Sequence, residues 1–281
     1  MTALLSIRDL SVSFPTPAGR VDVVRNLSLE LGRERLALVG ESGSGKSMTG
    51  RAILRLIRPP GQVRAARMSF EGTDLLSVSE RRMRAIRGAR ISMILQDPKF
   101  SLNPVMSVGK QIAEALHAHE RIDRRTARTR VIEMLEAVRI DAPARVARMY
   151  PHELSGGMGQ RVMIAMMLIP RPKILIADEP TSALDVSVQA QVLELIDALV
   201  RDFGMGLIMI SHDLNLVARY CDRIMVMNSG AVVETCAAAD LHKATHPYTR
   251  GLLDSVPRMQ EDRAVLPVLD RSSWDSGGAR T

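Results

Sequence analysis

Aromatic residues are scarce. They make up 3% of the chain: four Phe, three Tyr and a single Trp. A groove for single-stranded nucleic acid stacks bases on aromatic side chains set between basic ones, so this composition argues against one, even though the formal net charge is +7. Lysine is nearly absent, at 46, 99, 110, 173 and 243 only, and arginine carries the rest of the positive charge. That reads as arginine spread over solvated faces rather than a patch for nucleic acid or an anionic membrane. Only two cysteines occur, Cys221 and Cys236, in neither a CxxC pair nor a Cys/His cluster. This excludes a disulfide framework or a zinc module and predicts free thiols. No apolar run approaches the roughly 18 residues needed to span a bilayer. The start, MTALLSIRDLSVSF, lacks a basic lead, an apolar stretch and a small-residue cleavage site, so it does not read as a secretory signal and a cytosolic chain is expected.

What is present is enough apolar material for a substantial core: 46% of 281 residues, suited to one large domain or a domain with a subdomain. Leu4–Phe14 and Arg25–Leu31 alternate like antiparallel strands. RLALVG, Arg35–Gly40, reads as a buried parallel strand, and a helix is predicted from Ser47 to near Pro59–Pro60. The middle, from about Asp97 to Arg148, is charged and helical, with Val131, Met134, Leu135 and Val138 on one face. KILIAD, GLIMIS and RIMVM are further strands, and the DVSVQAQVLELIDALV segment is a helix. Strands alternating with helices predict a mostly parallel α/β sheet. The stretch from about Gln260 to Thr281 reads as a loose tail.

Three segments carry chemistry on their residue types. GESGSGKS comprises Gly40, Glu41, Ser42, Gly43, Ser44, Gly45, Lys46 and Ser47, fits G-x-x-x-x-G-K-[ST], and lies between a strand and a helix; with Met48, these are the expected ATP-binding residues. Its glycines let successive N–H groups turn inward around phosphates, and the helix N-terminus adds a favourable dipole. Lys46 reaches the β- and γ-phosphates and the Ser47 hydroxyl is a Mg²⁺ ligand. ILIADEP ends an apolar strand with Asp178, placed to hold Mg²⁺, and Glu179, placed to polarise an attacking water. LSGGMGQR sets Ser155, Gly156 and Gly157 at the start of a helix, where glycine costs roughly 1 kcal/mol relative to alanine. A bared helix N-terminus is a second anion site.

The order of these motifs resembles the nucleotide-binding subunit of an ABC transporter, over about residues 4–257. The resemblance implies a P-loop NTPase core with an N-terminal antiparallel β subdomain and an inserted helical subdomain, at about 97–160, followed by a tail at 258–281. It implies that Gln96 in ILQDP is the Q-loop glutamine, a catalytic residue and a Mg²⁺ ligand with Ser47 and Asp178, that Ser182 and Asp185 in SALD belong to the D-loop, that His212 in ISHD contacts the γ-phosphate, and that Phe14 stacks on adenine. The sequence Ser155–Gly156–Gly157 with Gln160 matches the ABC signature, which in this family closes over ATP held by the opposite subunit; here Met158 stands where glutamine is common.

ESGSGKSMT, LQDPKFSLNPVMSVGKQI, LSGGMGQRVMIAMML and HPYTRGLLDSVP further resemble ATPases of the peptide/nickel importer family, of the dipeptide/oligopeptide "D" type. This implies an ATP-hydrolysing subunit using ATP and Mg²⁺ on the cytoplasmic face of the inner membrane. Its partners would be a second ATPase (a paralogue or a second copy), two permeases and an extracytoplasmic solute-binding protein. No nucleic-acid partner is expected. No cysteine follows Cys236, so the C-terminal iron–sulfur cluster of many peptide-importing members is not expected. The solute, whether a di- or oligopeptide, nickel or a metallophore, is not specified by these residues. The segment from Gln96 to about Glu120 is expected to contact the permease, with Phe100 and Leu102 as probes. The rival readings are a soluble ABC ATPase acting on nucleic acid or ribosomes, for which no zinc module or sustained heptads are present, and a binding subunit with a dead site, against which Lys46, Asp178, Glu179 and His212 all stand.

Overall fold

The computed structural model describes residues 3–96, 101–182 and 184–255. Five strands form an antiparallel sheet: β1 (Leu5–Thr16), β2 (Gly19–Leu31), β4 (Gln62–Arg64), β5 (Arg67–Phe70) and β6 (Thr73–Asp74), ordered β2-β1-β5-β6 with β4 also on β1. A six-stranded sheet runs β11-β10-β3-β9-β8-β7, from β3 (Arg35–Val39), β7 (Ile91–Ile94), β8 (Ile174–Asp178), β9 (Gly206–Ser211), β10 (Arg223–Asn228) and β11 (Ala231–Ala237). Its neighbours are parallel except the β10–β11 hairpin. Helices at Val108–His117, Arg124–Ala137 and Pro143–Val146 precede the helix Gly156–Leu168 and form the inserted helical subdomain.

The six-stranded sheet divides the core by side-chain parity. Ala37, Val39, Leu175, Ala177, Leu207, Met209, Ile224 and Val226 face one cluster, which also takes the helical subdomain's Val131, Met134, Leu135 and Val138. Their strand neighbours Leu36, Leu38, Ile174, Ile176, Ile208, Ile210, Met225 and Met227 face the other, with the antiparallel sheet and the helix Lys46–Ile53. Both faces are covered, which is why these strands read as continuous apolar runs.

Two boundaries differ from the sequence reading. The helix expected to reach Pro59 spans Lys46–Ile53. Arg55 adopts φ 52°, its N–H bonds to Ala52 O at 2.9 Å, and the Leu56 N–H bonds to Arg51 O at 2.8 Å. This is a Schellman termination with arginine where glycine is usual, fixed by the Arg55 guanidinium donating to Val78 O at 2.7 Å. Strand β2 begins at Gly19 rather than Arg25, because Thr16 and Gly19 close a hairpin and the first four residues are exposed, with no burial pattern to reveal them. Short strands β4 to β7, strand β11 and the helix Glu80–Ile86 were not anticipated.

Candidate functional site

Adjacent strands β3, β9 and β8, with β7 beyond them, deliver their carboxyl ends to one rim of the parallel sheet, the place where open α/β folds bind ligands. Out of β3 comes the loop Gly40–Ser47. Gly40 has φ 148°, and a Cβ there would lie 2.1 Å from Met227 O; Gly45 has φ 101°, and its Cβ would meet Val23 O at 2.4 Å. Glycine is required at both positions. Lys46 is buried and curls back on this loop, donating to Gly40 O at 2.8 Å, Glu41 O at 2.7 Å and Ser44 Oγ at 3.3 Å. Burial lowers its pKa, against the opposing pull of Glu179, Asp178 and Glu41. A bound anion would offset that desolvation.

From β8 comes Asp178, 4% exposed, whose carboxylate accepts from Ser47 Oγ at 2.7 Å. Burial raises its pKa, while the Ser47 hydrogen bond and the charge of Arg51 oppose the rise. Arg51, one turn after Ser47 on the same helix, was not anticipated; its signal in the sequence is the i, i+4 spacing. Glu179 follows with φ 46°, a left-handed conformation that is strained for glutamate and belongs to sites where geometry is over-determined. Its N–H donates to Ile210 O at 3.0 Å, and its carboxylate lies between Gln96 Nε2 at 3.1 Å and His212 Nδ1 at 3.3 Å. Gln96 follows β7 and His212 follows β9, so sheet order alone assembles this trio. A cavity of about 60 Å³ bounded in part by Glu179, Ser182, His212 and Asp213 has room for water beside the carboxylate.

Magnesium suits this chemistry. Ser47 and Asp178 present hard oxygen donors on adjoining elements, and Mg²⁺ takes few protein ligands, completing its shell with phosphates and water. Among the described residues no group of three or more His, Cys, Asp or Glu could hold a metal, which such a two-donor arrangement does not require.

Ser155 caps the helix Gly156–Leu168, accepting from Met158 N at 3.3 Å. The two glycines differ. A Cβ at Gly156 would have only Leu184 Cδ2 near it, at 3.8 Å, whereas one at Gly157 would lie 2.9 Å from Val188 Cγ1. Close packing within the chain therefore explains Gly157, and Gly156 is left without such a reason. Gln160, grouped with the residues reaching the opposite nucleotide, instead turns inward: it is 1% exposed and its amide donates to Pro180 O, tying the signature helix to the loop after β8. Ser182 donates to Glu179 O at 3.2 Å and Asp185 caps the next helix at Val188 N, 3.0 Å away; Ala183 between them lies outside the described residues. Phe14 is half-buried on β1 with its ring edge over Gly61.

Of the expected permease contact, residues 97–100, including Phe100, lie outside the described residues, and so does the tail from 256 onward. Leu102 is 6% exposed and belongs to the core, so it is no surface probe; the exposed apolar side chain is Val105, at 79%. It borders a groove of about 710 Å³ with Pro104, Arg145, Arg148, Met149 and Tyr150. Among the described residues no helix is long and apolar enough to cross a membrane. Both cysteines are free thiols, and burial pushes that of Cys221 up to about 12.

The family model for "ABC transporter" matches residues 24–182. The chain is 49% identical over 274 residues to the oligopeptide transport ATP-binding protein OppD of Bacillus subtilis, covering 95% of this chain and 76% of that one. It is 46% identical over 278 residues to the dipeptide transport ATP-binding protein DppD of the same organism, covering 98% and 83%. Among solved structures, the dimeric ATP-binding cassette MJ0796 superposes with a TM-score of 0.73 at 24% identity, covering 83% of this chain and 98% of that one.

Proposed function

The chain belongs to the ABC transporter family, and from that premise we propose that it is the ATP-hydrolysing subunit of an importer whose solute is a peptide. The observation that carries the catalytic part is the Glu179 carboxylate between Gln96 and His212, one residue beyond the Asp178 that Ser47 binds. Hydrolysis requires the triphosphate held, its charge neutralised and a water deprotonated. The backbone N–H groups of Gly43 to Ser47 hold the phosphates, with Phe14 against the adenine. Lys46 exchanges its carbonyl partners for phosphate oxygens. Ser47, Asp178 and Gln96 would hold Mg²⁺, which would supply further charge neutralisation. Glu179 takes the proton from the attacking water, and Gln96 and His212 fix the carboxylate for that task.

The cassette, residues 1–257 with its helical insert at about 97–160, works as one half of a dimer. Ser155 and Gly156 present the signature helix N-terminus to the γ-phosphate in the opposite subunit, a paralogue or a second copy. Gln160 supports that helix from within. In this reading the groove beside Val105 receives a cytoplasmic segment of a permease, the subunit works at the inner face of the membrane, and an extracytoplasmic binding protein delivers the solute.

Identity to oligopeptide and dipeptide ATP-binding proteins over nearly the whole chain supports peptide as the solute. Uptake in a strain lacking this subunit decides it. Loss of di- or oligopeptide uptake, restored by the wild-type chain and not by Glu179→Gln, is expected. Unimpaired peptide uptake with lost Ni²⁺ uptake would move the system to the nickel branch.

A further inference from the structure

The peptide unit joining Gly40 to Glu41 is gripped at both ends. Its carbonyl, Gly40 O, accepts from Lys46 Nζ at 2.8 Å. Its N–H, on Glu41, donates to the Tyr248 hydroxyl at 3.0 Å, from a residue 207 positions away. The two grips meet different fates in the reaction. Lys46 gives up the carbonyls of Gly40 and Glu41 when its ammonium turns to phosphate. The Tyr248 contact competes with no phosphate, because it occupies an N–H ahead of those that cradle the nucleotide.

Tyr248 is held independently of the loop it touches. It is 1% exposed, the largest of the fully buried side chains, on the helix Pro247–Asp254. The start of that helix is pinned twice: His246 Nδ1 accepts from Tyr248 N at 3.2 Å, and Glu234 Oε1 accepts from Thr245 N at 2.7 Å and His246 N at 3.3 Å. Glu234 lies on β11, paired with β10, whose Met227 carbonyl crowds Gly40. Gly230, in the turn between these two strands, donates its N–H to Ser44 O at 3.1 Å. The last part of the described chain thus braces one side of the Gly40–Ser47 loop.

We propose that Tyr248 is a positioning residue for nucleotide binding: its hydroxyl holds the Gly40–Glu41 peptide in the receptive conformation while Lys46 changes partners. The proposal rests on the phosphate-loop function proposed above. Tyr248 acts through the loop and touches no reacting atom.

Tyr248→Phe removes only the oxygen. In the full-length chain, titrated with a fluorescent ATP analogue, Kd should rise roughly 3- to 10-fold, the effect of one neutral hydrogen bond. In the assembled transporter KM for ATP should rise by a similar factor, with kcat close to wild type. A merely structural tyrosine would lower the melting temperature and leave Kd and KM unchanged well below it, and that result overturns the proposal. Should Tyr248→Phe fail to fold, 4-fluorophenylalanine introduced at Tyr248 fills the space of the hydroxyl without its hydrogen-bonding strength, and the same readings apply. Lys46→Ala is titrated alongside. If Lys46→Ala binds like wild type, the phosphate-loop reading fails and this proposal with it. If it loses binding while Tyr248→Phe keeps wild-type affinity, only the role of Tyr248 falls.

Discussion

Gln96 and Glu179 lie 83 residues apart in sequence, yet the amide Nε2 of one is 3.1 Å from the carboxylate Oε2 of the other. The amide donates to that oxygen and so helps fix the carboxylate where a general base is needed. Glu179→Gln should therefore leave nucleotide affinity intact and slow hydrolysis by ~10²–10⁴-fold, the usual worth of such a base. Steady-state phosphate release from the assembled transporter measures it; near-normal turnover would remove Glu179 from the mechanism.

The unequal surroundings of the signature glycines separate a trans role from a packing role. Gly156→Ala meets only an ordinary contact at 3.8 Å, and Gly157→Ala meets Val188 at 2.9 Å. We expect Gly156→Ala to keep the wild-type melting temperature and ATP affinity of the isolated chain but to lose hydrolysis in the dimer. Gly157→Ala should lower the melting temperature as well. Full dimer activity in Gly156→Ala would refute close approach by the opposite nucleotide.

Arg35 ties the first residue of β3 to Asp222 before β10, with its Nη2 at 2.5 Å from Oδ1, and to Asp197 at 2.7 Å. The hydrogen bond from Arg35 holds the Asp222 carboxyl below its ordinary value. A folded pKa below the unfolded one stabilises above the unfolded value, about 3.9, and that contribution is lost as pH falls through the folded value. Arg35→Met should cost about 1–3 kcal/mol at neutral pH. The gap between variant and wild type should narrow on acidification below about pH 4. Urea unfolding at a series of pH values checks this; a gap independent of pH would assign the effect to packing alone.

Val105 is the probe for the proposed permease contact. Val105→Cys should cross-link to an engineered cysteine in a permease cytoplasmic loop, and Leu102→Cys, buried in the core, should not. Absence of any Val105 link in all nucleotide states, with a control pair across the ATPase dimer linking normally, would move the contact elsewhere.

The loop proposed to hold the phosphates was legible in the sequence because its chemistry is local: eight consecutive residues carry the amides, the lysine, the hydroxyl and the helix N-terminus. Glu179 was legible from its place directly after Asp178, but Gln96 and His212 only through family resemblance, since their meeting with it depends on strand order β9-β8-β7, which one sequence does not encode in any short window. The early end of the helix Lys46–Ile53 was hidden because Arg55 fills a left-handed position where the sequence signal is glycine. Gln160 was grouped with the signature residues that reach the opposite nucleotide, and only packing reveals it turned inward. Tyr248 stood in a recognised string, HPYT, but its partner lies 207 residues away, and nothing in the string names a backbone amide.

The parity of the central sheet has a consequence for how the molecule comes apart. The two apolar clusters share no residue; they meet only through strands that give alternate side chains to each. The helices of the insert can thus loosen from their face while the antiparallel sheet stays docked on the other, because the common wall is held by its own ladder. Native-state hydrogen exchange should then report two opening units rather than one, with the amides of β3, β8 and β9 exchanging last and only when both units have opened.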